Sequence, residues 1–455
     1  MTPSRHIVIA GGGASGLLLA TLLERTGAAV TIVEPRERLG AGVAYSTACP
    51  VHLLNAPAAN MSAVPDDASH FVRWLAVIGV GAAPSDFVPR ALYGRYLDSI
   101  AGDLRAAAGD RFQHLRSTAT ECEPRAGGVR ITCANGTTID ADAFVLAVGN
   151  GDPAAWPRIT GTTVASRRFF ASAWAPGAIE PDDPDELVVL LGTGLTAIDA
   201  TLGLRAGGHR GPVVMISRRG LLPHEHRVFD SPPAAAPEAE TVRDLIGTLR
   251  LASRSSGSER GWRGAIDQLR SQTNARWSSL SLEEQRRIVR HALPYWNVHR
   301  HRIAPAAAKA IAELIASNTL RMIAGRTGAI VATDEALRVH VRPRGSAGEL
   351  VVDAGRVINC SGPQNDFRKL PNPLIRALIE RGHLVPHALG IGANIAPDGA
   401  LVDRDGKAST RLFAIGPVRF GTLIETTAIP EIRVQAAELA ARLTTVEEVL
   451  RLRSG

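Results

Sequence analysis

The sequence predicts an α/β fold in which one parallel-sheet unit is nested inside another and carries a helical insertion. Three observations support this. Gly11-Gly12-Gly13-Ala14-Ser15-Gly16 follows the apolar run His6 to Ala10, and Gly192-Thr193-Gly194-Leu195-Thr196-Ala197 follows the equally strand-like Leu187 to Leu191. Strand signals return after a long polar stretch and end with Leu412 to Ile415. A short buried strand, a glycine turn and a helix-forming apolar stretch make up a unit that can cradle a pyrophosphate. The glycines let the backbone approach the phosphates, and the helix supplies unpaired N–H groups and the positive end of its dipole. Both units therefore read as Rossmann-like dinucleotide-binding domains. The competing reading of each glycine set is a plain tight turn.

In the first unit, residues 5–34, the turn residues Gly11, Gly13, Ser15 and Gly16 line the phosphate site. The second strand runs into Glu34, eighteen positions after Gly16, where a carboxylate binds ribose hydroxyls. That pattern fits FAD or NAD. Ala143 to Val148 closes the sheet toward Gly149, and the Pro-, Gly- and Asp-rich residues 151–185 read as a crossover. In the second unit Gly192, Thr193 and Gly194 repeat the cradle. Its second strand, Val213 to Ser217, runs into Arg218 and Arg219 where an acid would sit. Guanidinium forks suit a ribose 2′-phosphate, so NADPH is favoured over NADH.

From Arg219 to about Pro305 the strand–helix alternation breaks into polar, arginine-rich helical stretches, an insertion at about 220–305 that includes a surface loop at Pro232 to Pro237. Strands are expected at Leu320 to Ile323, Ala329 to Val331, Leu337 to Val341 and Arg356 to Cys360. After Leu412 to Ile415 comes a turn at Gly416-Pro417, then a helix from about Ile429 to Leu443 whose N-terminus is aimed at a bound flavin. The expected division is 1–153 for the first part of the FAD domain, 154–356 for the NAD(P)H domain with its insertion, and 357–455 for the second part of the FAD domain.

Composition narrows the function classes. The 455 residues suffice for two or three domains, and 45% hydrophobic with 21% charged residues is ordinary for a soluble globular chain. The net charge of +7 is spread over many arginines without a basic run or interleaved aromatics, which argues against nucleic acid and for anionic ligands. Cys49, Cys122, Cys133 and Cys360 form no Cys-x-x-Cys pair, so neither a zinc ribbon nor a redox dithiol is expected. The His-x-His pairs at 224/226 and 299/301 lack converging carboxylates, and no metal is expected. No stretch reaches the roughly 18 apolar residues of a membrane span, and a cytoplasmic location is expected. A homo-oligomer is compatible with the sequence.

The doubled fingerprint with Glu34 and the closing Phe413-Ala414-Ile415-Gly416 resemble the two-dinucleotide flavoproteins over nearly the whole chain. Gly42-Val43-Ala44-Tyr45-Ser46-Thr47, His52-Leu53-Leu54-Asn55, Met61-Ser62, Ile216-Ser217-Arg218-Arg219-Gly220 and Gly421-Thr422-Leu423-Ile424-Glu425-Thr426-Thr427 resemble a bacterial flavin monooxygenase group. That group includes FAD-dependent urate hydroxylases and L-aspartate N-hydroxylases that form nitrosuccinate. The chain departs from the wider flavoprotein pattern at Pro417, where many relatives carry an aspartate on the flavin ribityl chain.

A flavin beside NADPH without a dithiol implies hydride transfer to the flavin and then electron transfer to O₂. The resemblance implies a C4a-hydroperoxyflavin in a dry pocket, hydroxylating a small, polar, anionic substrate. Urate is the leading candidate, with L-aspartate or another amine as an N-hydroxylation alternative. An NAD(P)H oxidase or flavin-linked reductase is a further alternative. Leu54 and Met61 are expected along the flavin ring, with Asn55 bonding the flavin or its peroxide; the alternative for Asn55 is a turn residue beside Pro57. His52 reads equally well as a structural group. His299 and Arg302, three apart on one helix face, form a candidate anion clamp or else a solvated basic face. Gly416 is expected to bind the cofactor, Gly421, Thr422 and Leu423 would bring backbone N–H groups to the flavin pyrimidine end, and Glu425 would orient an arginine or the substrate. Arg90, Tyr93 and Tyr96 read either as an adenine cover or, preferably, as helix packing.

Overall fold

A computed structural model describes residues 5–156, 167–227 and 261–454. The chain forms two compact units, one comprising Met1–Ala48, Pro57–Gly151 and Gln364–Gly455, the other Cys49–Ala56 and Asp152–Pro363.

In the first unit the strands β1 (His6–Ala10), β2 (Ala29–Val33), β3 (Phe112–Leu115), β7 (Ala143–Leu146), β15 (Ala400–Val402) and β16 (Ala408–Ala414) build a sheet of order β15-β16-β7-β1-β2-β3. All neighbours are parallel except β15 with β16. The apolar runs of β1 and β7 are buried on both faces, as a covered parallel sheet requires. Helix α1 (Ala14–Arg25) starts directly after Gly13 and ends at Thr26-Gly27, where Gly27 takes φ +83° and donates its N–H to the Glu24 carbonyl. It packs against α3 (Arg90–Ala108) and α11 (Ile429–Ser454). Tyr93 and Tyr96 on α3 are fully buried beside Phe71, so they are packing residues. A separate antiparallel sheet, β4 (Ala119–Pro124), β5 (Val129–Cys133) and β6 (Thr138–Ala141), shares a core with β7 and with α10 (Pro373–Glu380).

In the second unit β8 (Phe169–Phe170), β9 (Val188–Leu191), β10 (Val213–Ser217), β11 (Leu320–Ala332), β12 (Leu337–Pro343), β13 (Leu350–Ala354) and β14 (Arg356–Asn359) take the order β13-β12-β11-β10-β9-β14-β8. Helix α4 (Leu195–Ala206) follows the second glycine turn. The described part of the insertion is helical: α5 (Gly261–Leu269), α6 (Thr273–Ser279), α7 (Leu282–Arg287), a π turn (Ile288–Ala292) and α8 (Leu293–Arg300), with α9 (Pro305–Ala316) leading back to the sheet. The rest of the insertion, 228–260 with the Pro232 to Pro237 loop, lies outside the described residues.

Four expectations are corrected. The boundary at 356/357 falls inside the second sheet, because β14, with all four residues buried, pairs parallel with β9; that unit runs on to Pro363. Residues 49–56 also group with it. The strands expected at 320–323 and 329–331 are one strand, parallel to β10 at its start and antiparallel to β12 at its end, with the expected break absorbed by a register shift between Thr327 and Ile330. The final helix continues beyond Leu443.

Arg356 is almost fully buried; it donates through Nε to Glu186 Oε1 at 2.8 Å and through Nη1 to the Gly177 carbonyl at 2.6 Å. Removing one partner strands the other charge in the interior, so Arg356→Ala is expected to cost about 3–5 kcal/mol. Equilibrium unfolding in urea checks this, and a loss under ~1 kcal/mol would contradict the buried-pair account.

Candidate dinucleotide sites

The first cradle is set by backbone crowding. Gly11 has φ +109°, and a Cβ there would collide with the Ala147 carbonyl at the end of β7; a Cβ on Gly16 would collide with the Gly11 carbonyl. Gly13 differs, since a Cβ there meets nothing closer than Gly42 Cα at 3.8 Å. The space over Gly13 is thus open for a phosphate, and the residues fit a dinucleotide. Glu34 is buried just past β2; its Oε2 accepts the Gly12 N–H at 2.9 Å and its Oε1 the Arg36 N–H at 3.1 Å. The carboxylate is thereby fixed beside the turn.

Gly149 follows β7 with φ +70° and open space around it. Gly416 follows β16 with φ +77°, and a Cβ on it would run into the buried Ser15 hydroxyl. Its N–H donates to Gln435 Oε1 at 3.0 Å and its carbonyl accepts from Thr426 Oγ1 at 2.8 Å. Gln435 Nε2 donates to Thr426 Oγ1 at 2.9 Å, closing a network between this turn and α11. The Thr422 hydroxyl is a structural pin: it donates to the Ile395 carbonyl at 2.9 Å and accepts the Ile395 N–H at 3.1 Å. Glu425 is buried in the same segment.

The stretch 52–62 is divided. Leu54 is buried and Asn55 exposed in the second unit, whereas Met61 is buried in the first. His52 is fully buried with Nε2 2.9 Å from the Asp199 carbonyl and its ring edge-on to Trp174. That places it with the packing residues.

The second cradle repeats the first. Gly192 has φ +135°, and a Cβ there would collide with the Cys360 carbonyl at the end of β14; Gly194 has open space. Thr193 Oγ1 donates to the Leu221 carbonyl at 2.5 Å and sits 3.0 Å from Ser217 Oγ, fastening the turn to the chain leaving β10. Ser217 holds the register after β10 that Glu34 holds after β2, since the Gly192 N–H donates to the Ile216 carbonyl as the Gly11 N–H does to Val33; Arg218 stands one residue further on and is exposed. Arg219 is engaged: Nη2 donates to the Arg290 carbonyl at 3.0 Å and the guanidinium lies 5.6 Å from the Tyr295 ring centre.

His299 and Arg302 do not share a helix face, because α8 ends at Arg300. They meet instead around Trp262, whose ring is 4.8 Å from those of His299 and His224 and 5.5 Å from the Arg302 guanidinium. Arg302 is buried, pairs with Asp267 at 2.6 Å and donates to the His299 carbonyl at 2.9 Å. Its charge is already matched, so the expected anion clamp is a packed centre of the insertion. Burial pushes His224 below the usual imidazole range and His226 down to about 4.

Residues 8–151 match the FAD-NAD(P)-binding family. Two glycine cradles, each following a strand of its own sheet and leading into a helix, decide the architecture. The chain has the two-domain flavoprotein fold. The first cradle, within the matched residues, is of the FAD-NAD(P)-binding type. Solved structures similar to the flavoprotein include L-lysine 6-monooxygenase from Pseudomonas syringae, 16% identical with TM-score 0.68, covering 97% of this chain and 99% of that one. Ornithine hydroxylase from Pseudomonas aeruginosa is 16% identical with TM-score 0.64 over the same shares. Thioredoxin reductase from Lactococcus lactis is 12% identical with TM-score 0.54, covering 98% of this chain and 100% of that one. No curated protein matches the sequence significantly. Among the described residues of the flavoprotein, no helix is long and apolar enough to cross a membrane.

Because a methyl group at Gly13 meets only Gly42 Cα, at an ordinary contact distance of 3.8 Å, Gly13→Ala should unfold like the wild type yet bind FAD at least about tenfold more weakly, the methyl occupying the phosphate's place. FAD titration followed by flavin fluorescence, alongside thermal melting, separates the two effects. Unchanged FAD affinity would remove Gly13 from the cradle.

Proposed function

We propose that this flavoprotein is an FAD-dependent, NADPH-using monooxygenase that hydroxylates the nitrogen of a small amine. The supporting observation is the likeness to lysine and ornithine hydroxylases over 97% of this chain and 99% of each of theirs. The reductase likeness is weaker, and the four cysteines, all free and without a Cys-x-x-Cys pair, supply no dithiol for that chemistry. Nothing comparable supports urate, so the reading moves from a carbon-hydroxylated anion to an amine. L-aspartate stays in view as an amine that also carries two carboxylates.

FAD, reduced by NADPH, supplies the oxygen-activating chemistry. The chain's part is to hold and orient. Glu34 takes the adenosine ribose, the N–H groups around Gly13 and Ser15 take the pyrophosphate, and Arg218 takes the NADPH 2′-phosphate. Arg219, spent on the Arg290 carbonyl and Tyr295, positions the chain that carries Arg218. Glu425, a buried acid beyond the flavin turn, is assigned to the substrate ammonium, while Asn55 is an exposed amide of the other unit. An amine attacks only as its free base, so a carboxylate that accepts its proton serves both binding and activation.

The test follows NADPH loss, hydrogen peroxide and hydroxylamine with lysine, ornithine, cadaverine, L-aspartate and urate. One amine should accelerate NADPH loss while peroxide stays low and hydroxylamine appears. Coupling to urate alone would replace N-hydroxylation by carbon hydroxylation, and stoichiometric peroxide with every compound would make the protein an oxidase. For the cofactor, Arg218→Ala should raise KM for NADPH about 10- to 100-fold, the scale of a charged hydrogen bond, and leave NADH nearly unchanged. Arg219→Ala should have the smaller effect; steady-state KM values for both coenzymes decide, and equal changes would remove the phosphate role.

A further inference from the structure

The carboxyl edge of the first sheet gives the FAD site a direction. Glu34, the glycine turn, Gly149 and Gly416 follow β2, β1, β7 and β16, which are neighbours in that order and mutually parallel. At about 4.8 Å per strand spacing the row spans roughly 14 Å. With ribose at Glu34 and pyrophosphate over Gly13, the flavin extends toward Gly416 and beyond. From Gly416 a 3₁₀ run continues to Gly421, about 10 Å further at about 2 Å per residue.

A second loop is built onto the end of that run, backbone against backbone. Gly392 has φ +66°, and a Cβ on it would come within 2.8 Å of both the Gly421 nitrogen and the Val418 carbonyl. A Cβ on Gly421 would strike the Ile391 carbonyl and, at 2.6 Å, the His387 ring. The Ala393 N–H donates to the Val418 carbonyl at 3.2 Å, and the His387 N–H donates to the Gly392 carbonyl at 3.1 Å. Gly392 thus lets the two backbones meet, and Gly421 leaves room for one imidazole against the flavin turn. His387 is the single ionisable side chain between Val385 and Ala396.

The state of that imidazole follows from its contacts. His387 Nδ1 accepts the Leu389 N–H at 3.3 Å, so the proton resides on Nε2. Burial holds the ring below the usual imidazole range, keeping it neutral near pH 7. Nε2 has no partner among the described residues and is not sealed from solvent. It is a fixed donor aimed by its own loop.

We propose that His387 is a flavin-contacting residue whose Nε2–H donates a hydrogen bond to the pyrimidine end of the flavin ring. The inference rests on the FAD reading of the first cradle. A donor there stabilises negative charge on the reduced ring and makes the bound flavin easier to reduce.

His387→Asn keeps an acceptor near Nδ1 for the Leu389 N–H but loses the Nε2 donor, whereas His387→Gln places an amide N–H near Nε2. FAD affinity by fluorescence titration and the flavin midpoint potential by dye equilibration are read on wild type and both variants. Expected are an affinity about 2- to 10-fold weaker and a more negative potential for His387→Asn, with His387→Gln close to wild type. If His387→Asn matches wild type in both, or both variants fall equally, the contact is wrong and the ring only holds its loop. Failure of the wild type itself to bind FAD would overturn the cofactor reading, and this inference with it.

Discussion

A carbonyl oxygen standing where a side chain would be is the constraint from which both halves of this protein are built. Ala147 presents it to Gly11 and Cys360 presents it to Gly192, in each case from the strand beside the one that leads into the turn. The glycine turn can therefore sink between two strand ends, and the helix after it starts at a fixed height above the sheet. The remaining pieces are placed from that height. Glu34 can cap the Gly12 N–H, Thr193 can reach Leu221, and Gly416 can lie on Ser15, because the turns cannot rise.

The two cradles use the same backbone and opposite charges. After the second strand, one offers a buried carboxylate and the other an exposed guanidinium. The carboxylate directly follows the residue that accepts from the first turn, whereas the guanidinium stands one residue later, after Ser217, so the two frames differ in reach as well as in charge. Elsewhere, a few positive side chains are spent internally, while most of the ion pairs lie at the surface. Arg302 answers Asp267, Arg356 answers Glu186, and Arg219 is tied to the insertion. The net positive charge of the chain is thus a poor guide to what it binds.

Much of the frame was legible in the sequence because its strongest elements are short, nearly unbroken apolar runs punctuated by glycine: β1, β7, β9, the turns after them, and Gly416. What escaped notice has a common physical character. Strands β3 to β6 are no shorter than β1, β7 and β9, but they carry polar residues, and the antiparallel set alternates apolar with polar as in Val-Arg-Ile-Thr-Cys, so no run stands out. The unit boundary was misplaced because β14 is followed by a small-residue turn, which reads equally well as the end of either domain. His299 and Arg302 were joined by a helical spacing that stops two residues too soon, while Trp262, which does bring them together, lies far away in sequence. His387 carried no motif; its only trace was a glycine-rich loop, Ala388 to Ala393, whose glycines are explained by another loop pressed against them.

The strand Leu320–Ala332 belongs to two ladders at once, and its register shift at Thr327 to Ile330 sits where one becomes the other. Side chains on a strand alternate strictly, so adding or deleting a residue within either ladder would turn that ladder inside out. At the shift the alternation is already broken, and a change in length there alters the pitch of the β11–β13 ribbon while the parallel core keeps its facing. Seen as an evolutionary object, the strand carries a splice point. The ribbon beyond it still answers to the parallel strands, because Ile330, Leu337, Val339 and Val341 share a core with Val189, Leu191, Val214 and Ile216, so a change of length at the shift has to keep those side chains on the same face.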